Sequence, residues 1–214
     1  IVSTSLAWFW SRLGREVTYV DADVEEPNGH LFLHPTVAAR ERFSVPVPAL
    51  RGETCSGCGE CQDFCAFNAI IALDDRVMVF PELCHSCGGC VLACPENALV
   101  EVPRETGTLE SGRTPGETDI GFPAATLDVG EAMATPLISG LLRGGATEGI
   151  IVVDAPHGTS CSAMEAVEDA DSVLMVTEPT PFGLHDLRLA VEMGRALGHP
   201  LAAVIHRSDL GDDR

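Results

Sequence analysis

The chain has 214 residues, 45% of them hydrophobic, which suits one globular domain carrying an insertion better than two complete domains. Thirteen basic against 32 acidic residues leave a formal charge of −19, which argues against a nucleic-acid-binding or anionic-membrane surface. All thirteen bases are Arg, so the chain as written cannot supply a Schiff-base amine, a lysine general base or the phosphate-binding lysine of a P-loop. No apolar run reaches the roughly 18 residues of a membrane span. Ile1 to Trp10 lacks the basic flank and small-residue cleavage site of a signal peptide, so a soluble, cytoplasmic protein is expected. With no initiator Met, the chain is expected to be a fragment that begins inside a helix.

Ile1 to Leu13 carries apolar residues at helical spacing and stops at Gly14, a good helix terminator. Glu16 to Val20 predicts a short strand running into Asp21-Ala22-Asp23. The cysteines follow. Cys55, Cys58, Cys61 and Cys65 form Cys-x2-Cys-x2-Cys-x3-Cys, and Cys84, Cys87, Cys90 and Cys94 repeat the run 29 residues later, with Pro95 after the second and Ala66 after the first. This is the bacterial ferredoxin pattern, in which a tight loop aims three thiolates at three corners of a cubane and the fourth Cys of each run ligates the other cluster. The expectation is therefore one [4Fe-4S] cluster on Cys55, Cys58, Cys61 and Cys94 and another on Cys84, Cys87, Cys90 and Cys65. Gly57, Gly59, Gly88 and Gly89 lie between ligands, where bare backbone can turn and approach cluster sulfurs. A pair of zinc sites is the alternative, but zinc usually draws its thiolates as two separated pairs. Two clusters on eight thiolates make the protein more acidic still, so a redox partner is expected to be basic.

Beyond the ferredoxin-like stretch, taken as 51–103, Glu105 to Gly121 is polar and rich in Gly and Thr and reads as a connection back. Gly149 to Asp154 predicts a buried parallel strand ending on a carboxylate. Ser172 to Thr177 is a third strand, Gly183 to Leu197 a helix stopped by Gly198, and Leu201 to Ile205 a fourth strand. The alternation implies an α/β fold with a parallel sheet covered by helices and ligands at the strand C-terminal ends. The domain plan is 1–50, an inserted two-cluster domain at 51–103, and 104–214.

Val20 to Asn28 (Val-Asp-Ala-Asp-Val-Glu-Glu-Pro-Asn), Asp154 to Cys161 (Asp-Ala-Pro-His-Gly-Thr-Ser-Cys) and Thr177 to Leu187 resemble the MinD/ParA-type P-loop ATPases, in particular those with an inserted two-cluster ferredoxin domain. The resemblance implies that Asp23 positions the attacking water with Asp21 supporting it, that Asp154 holds Mg²⁺, and that Gly158 senses the γ-phosphate of ATP. It also implies a homodimer formed through the nucleotide face, and a function that couples ATP binding and hydrolysis to electron transfer through the clusters. Cluster delivery to an acceptor protein, and plain electron carriage on a nucleotide-blind scaffold, are the alternatives. In that family the Walker A loop and its strand precede the helix that opens this chain, so the 214 residues themselves are expected neither to bind ATP well nor to hydrolyse it. His206 stands where the family has an adenine-reading Asn and offers one hydrogen bond in place of an amide's pair. His157 reads as a loop residue, Cys161 as a structural or partner-facing thiol, and Trp8 and Trp10 as core or interface packing.

Overall fold

A computed structural model describes residues 1–52, 54–74, 76–116, 118–145 and 148–209. In chain order the elements are α1 (Val2–Arg12), β1 (Val17–Asp21), α2 (His30–Leu33), β2 (Thr36–Leu50), α3 (Glu60–Phe64), β3 (Ile70–Leu73), β4 (Arg76–Val79), a 3₁₀ turn (Pro81–Leu83), α4 (Gly89–Ala93), β5 (Leu99–Arg113), β6 (Ile120–Leu127), α5 (Thr135–Arg143), β7 (Ile150–Asp154), α6 (Cys161–Val167), β8 (Val173–Thr177), α7 (Pro181–Leu197) and β9 (Leu201–Ile205). The chain divides into two units, one of 1–41, 109–126 and 134–214, the other of 42–108 and 127–133, and it passes between them inside β2, inside β5, at the end of β6 and just before α5.

In the first unit the strands pair in the order β2-β5-β6-β1-β7. β1 is parallel to both β6 and β7 and is buried along its whole length, as a central strand covered on both faces should be. Tyr19 stacks on Phe122 with ring centroids 5.5 Å apart, in a core with Ala7 of α1, Val17, Ile120 and Ala124. Helix α5 buries Leu137, Ile138 and Leu141. Helix α7 opens with the Thr180 hydroxyl accepting from the Gly183 N–H and closes on Gly198 at φ +82°, the left-handed turn glycine adopts without strain.

Three expectations need correction. The sheet is mixed, not parallel throughout. Contacts between β2 and β5 run in opposite directions, from Arg51 with Ala98, through Arg42 with Thr108 and Arg40 with Glu110, to Thr36 with Gly112. Neighbouring β5 and β6 are joined by too few residues for a parallel crossover. Second, Glu105 to Gly121 is no irregular connection, because 105–113 complete β5 and Ile120 and Gly121 open β6. Its polarity belongs to a strand with one solvated face. Third, β8 and β9 pair in parallel with each other as a separate two-stranded sheet, since no described strand bridges them to β7. Trp10 packs on the β1 core, whereas Trp8 is half exposed beneath the Arg12 guanidinium. Among the described residues no helix is long and apolar enough to cross a membrane.

The second unit is built as two copies of one pattern. Gly59 and Gly88, both left-handed, precede the short helices α3 and α4. Asn68 and Asn97, left-handed at φ +53° and +50°, follow the fourth cysteine of each run. Ala69 and Ala98 are buried, and their carbonyls accept from the N–H groups of Phe80 and Arg51. Every one of these pairs is 29 residues apart, the offset of the cysteine runs.

Candidate metal centre and carboxylate site

Cys61 on α3 and Cys90 on α4 are buried, and with the cysteines outside those helices they form two sets. A cavity of about 180 Å³ is lined by Cys84, Cys87 and Cys90 of the second run and Cys65 of the first. A smaller one, about 20 Å³, is lined by Cys55, Cys58 and Cys61 with Cys94 from the second run. Cys61, Cys84 and Cys90 are buried, while Cys58 and Cys87 are exposed, so each set has a deep side and an edge near solvent.

Backbone N–H groups already point at these sulfurs. Those of Ala69 and Ala98 donate to Cys65 Sγ and Cys94 Sγ at 3.3 Å, and that of Ser86 donates to Cys84 Sγ at 3.4 Å. Such donors stabilise charge on a ligating thiolate. Burial raises the Cys61 thiol pKa, with Cys94 and Cys55 adding to it. Burial likewise pushes Cys90 up to about 11, helped by Cys84 and Cys87. Four thiolates do not share such a space unless a positive core compensates them, which an iron-sulfur cluster does. The glycines are as tight as the chemistry needs. A Cβ on Gly57, itself at φ +67°, would lie 1.3 Å from the Asp74 carbonyl oxygen, and one on Gly89 would lie 1.9 Å from the Phe64 ring. The residues present therefore fit two clusters. Among the described residues no three His, Cys, Asp or Glu side chains converge on a single-ion geometry.

In the first unit, Asp21 and Asp154 end the paired strands β1 and β7 in register, and the Ala22 N–H donates to the Asp154 carbonyl. Asp154 Oδ2 accepts from the Ser3 hydroxyl at 2.8 Å and from the Tyr19 hydroxyl at 2.5 Å. Burial, with Asp154 close by, raises the Tyr19 pKa and keeps that hydroxyl a donor. Asp21 is 1% exposed, and its Oδ2 accepts the Gly29 N–H at 2.8 Å. Gly29 lies so close under Tyr19 that a Cβ would be 2.4 Å from the ring. Asp23 is half-buried two residues past β1. Gly158 is exposed at φ +83°, and His157 beside it is exposed too. His206 follows β9, its N–H donating to the Thr177 carbonyl. Cys161 opens α6 and is exposed. Ser3, Tyr19 and Gly29 carried no motif; the hydrogen bonds of the folded chain reveal that they brace the carboxylates.

Burial pushes the Asp21 pKa up from 3.8 to about 6, against the lowering effect of the Gly29 N–H, and the Asp154 and Asp23 charges add to the rise. Between those values the folded chain holds the proton that the unfolded chain has released, so this group's contribution to stability falls as pH rises through the window. The ionised form then costs roughly 3 kcal/mol. Asp21→Asn, whose amide oxygen still accepts from Gly29, is expected to stabilise the protein, about half as much at pH 5 as at pH 7.5. Urea unfolding at the two pH values checks this, and equal gains would contradict it.

Residues 54–99 match the family model of the 4Fe-4S dicluster domain. Two uncharacterized proteins of Methanocaldococcus jannaschii are similar to the chain. MJ0579 is 40% identical over 63 residues, which cover 29% of this chain and 23% of that protein. MJ0578 is 33% identical over 203 residues, covering 89% of this chain and 67% of that protein. The match thus spans about two thirds of one relative's length and under a quarter of the other's. The chain carries a 4Fe-4S dicluster domain on a mixed α/β scaffold, and it belongs to the family of the uncharacterized protein MJ0578 of M. jannaschii.

Proposed function

We propose that this protein is a one-electron carrier with two [4Fe-4S] clusters, one on Cys55, Cys58, Cys61 and Cys94 and the other on Cys84, Cys87, Cys90 and Cys65, gated by a MinD/ParA-type nucleotide switch. The observation that carries the reading is the sorting of eight cysteines into two cavities, each taking three from one run and the fourth from the other. Each cluster exchanges one electron, and the exposed Cys58 and Cys87 bring an edge of each set within reach of a partner. A basic partner suits the chain's −19 charge.

The gating half of the proposal rests on the carboxylates. Asp21 and Asp154 stand side by side at the C-terminal ends of parallel strands, where α/β proteins bind ligands and where a hard cation finds oxygen donors. In this reading Asp154 holds Mg²⁺, with Ser3 and Tyr19 fixing its orientation. Asp23 places the attacking water and Asp21 supports it, Gly158 responds to the terminal phosphate, and His206 faces the base. Mg²⁺ and ATP supply the binding energy that separates two states of the switch. A second copy closes over the nucleotide face, and the work is done in the reducing cytoplasm.

Anaerobic redox titration of the natural full-length protein, followed by EPR with and without MgATP, tests both halves. Two reducible clusters whose potentials or partner-reduction rates change with MgATP are the expected result. Two clusters indifferent to MgATP would leave an electron carrier on a nucleotide-blind scaffold, and a protein without iron would overturn the reading.

A further inference from the structure

The two halves of the dicluster unit differ at one point inside the cradle. Twenty-nine residues separate Gly57 from Ser86, so they are the same position of the two loops, and both are left-handed, at φ +67° and +54°. Glycine suits that backbone, while a residue with a Cβ is disfavoured there. In the first loop the space a side chain would need is filled by the Asp74 carbonyl. In the second the serine is accommodated, lining the cavity of Cys65, Cys84, Cys87 and Cys90. Its Oγ is buried and has no hydrogen-bond partner, although its own N–H reaches Cys84 Sγ. A buried hydroxyl without a partner, held on disfavoured backbone against the ligand set, is a donor waiting for an acceptor.

The same side holds two more such donors. Arg104 Nε and Nη2 are buried and unpartnered, Nη1 alone being bonded to Glu131. The guanidinium is close enough to Cys84 for the two to interact electrostatically. The other charged or titratable groups nearby are Glu101 and His85, which line the cavity, and Glu82, which also acts on Arg104. His85 is stacked on Phe67 with ring centroids 3.5 Å apart.

Building on the two-cluster reading, we propose that the clusters are unequal by design: the Ser86 hydroxyl donates to the sulfur of the cluster on Cys65, Cys84, Cys87 and Cys90, making it the higher-potential centre on which the electron rests. Reduction adds one negative charge to a cluster, and a hydrogen bond to its sulfur favours the more negative form. An electron entering at the cluster of Cys55, Cys58, Cys61 and Cys94 therefore passes to its neighbour. The first returns from the 1+ to the 2+ core as the second goes from 2+ to 1+, and no bond or proton moves. The external donor is a low-potential one-electron reductant.

Ser86→Ala keeps the Cβ and removes the hydroxyl, and Ser86→Gly restores the sequence of the twin loop. Dithionite titration of the cluster-loaded protein, read by EPR, is expected to show two waves in the parent. In both variants the higher wave alone should move down, shifting the equilibrium between the clusters about tenfold, equivalent to 59 mV for one electron. Movement of the lower wave, or no movement in either variant, overturns the inference while leaving the two-cluster reading intact. A parent protein without two reducible clusters overturns both.

Discussion

Cys94→Ala is expected to abolish the same redox wave as Cys58→Ala, although residue 94 belongs to the other run. Cys65→Ala should abolish the wave that Cys87→Ala removes. The reason is geometric: Cys94 lines the cavity of Cys55, Cys58 and Cys61, and Cys65 lines that of Cys84, Cys87 and Cys90. For the first set the electrostatics run the same way, since Cys61 is acted on by Cys94 of the other run as well as by Cys55. A cluster left with three thiolates is expected to be lost whole, so each variant should keep about half the iron of the parent. EPR-monitored titration of the four single variants decides the matter. If Cys94→Ala instead pairs with Cys87→Ala, the ligands are not exchanged between runs. Retention of both waves in either fourth-cysteine variant would mean that the last cysteine of a run is no ligand at all.

The cysteine runs were legible because their chemistry is local. Four thiols within eleven residues, with glycines between them, fix a loop whatever surrounds it, and the doubled run sits inside the 4Fe-4S dicluster match at residues 54–99. Short apolar strands closed by Asp21 and Asp154, and the body of α7 with its Gly198 stop, were legible for a similar reason, while the Thr180 cap ahead of the expected start of that helix was not. The long β2 was not, because its first seven residues are exposed and read as Thr-Val-Ala-Ala-Arg-Glu-Arg, with no apolar alternation. The brace on Asp154 joins residues 135 and 151 positions apart, and neither Ser3 nor Tyr19 carries a motif that reports it. Ser86 was one serine in a cysteine loop until its twin, Gly57, showed what the position normally tolerates.

Arg104→Met is expected to cost the dicluster unit about 3 kcal/mol or more. Arg104 Nη1 donates to Glu131 Oε2 at 2.5 Å, with the two side chains 18% and 5% exposed. The hydrogen bond from Glu131 raises the Arg104 pKa and keeps the guanidinium charged against burial. Removing the guanidinium leaves the Glu131 carboxylate almost out of water with the Met133 N–H to offset its charge, and that is the main penalty. Replacing both partners removes it, so Arg104→Met with Glu131→Leu should recover most of the loss. Anaerobic guanidinium unfolding, followed by cluster absorbance, checks the pair, and a double variant as unstable as the single one would assign Arg104 a packing role instead.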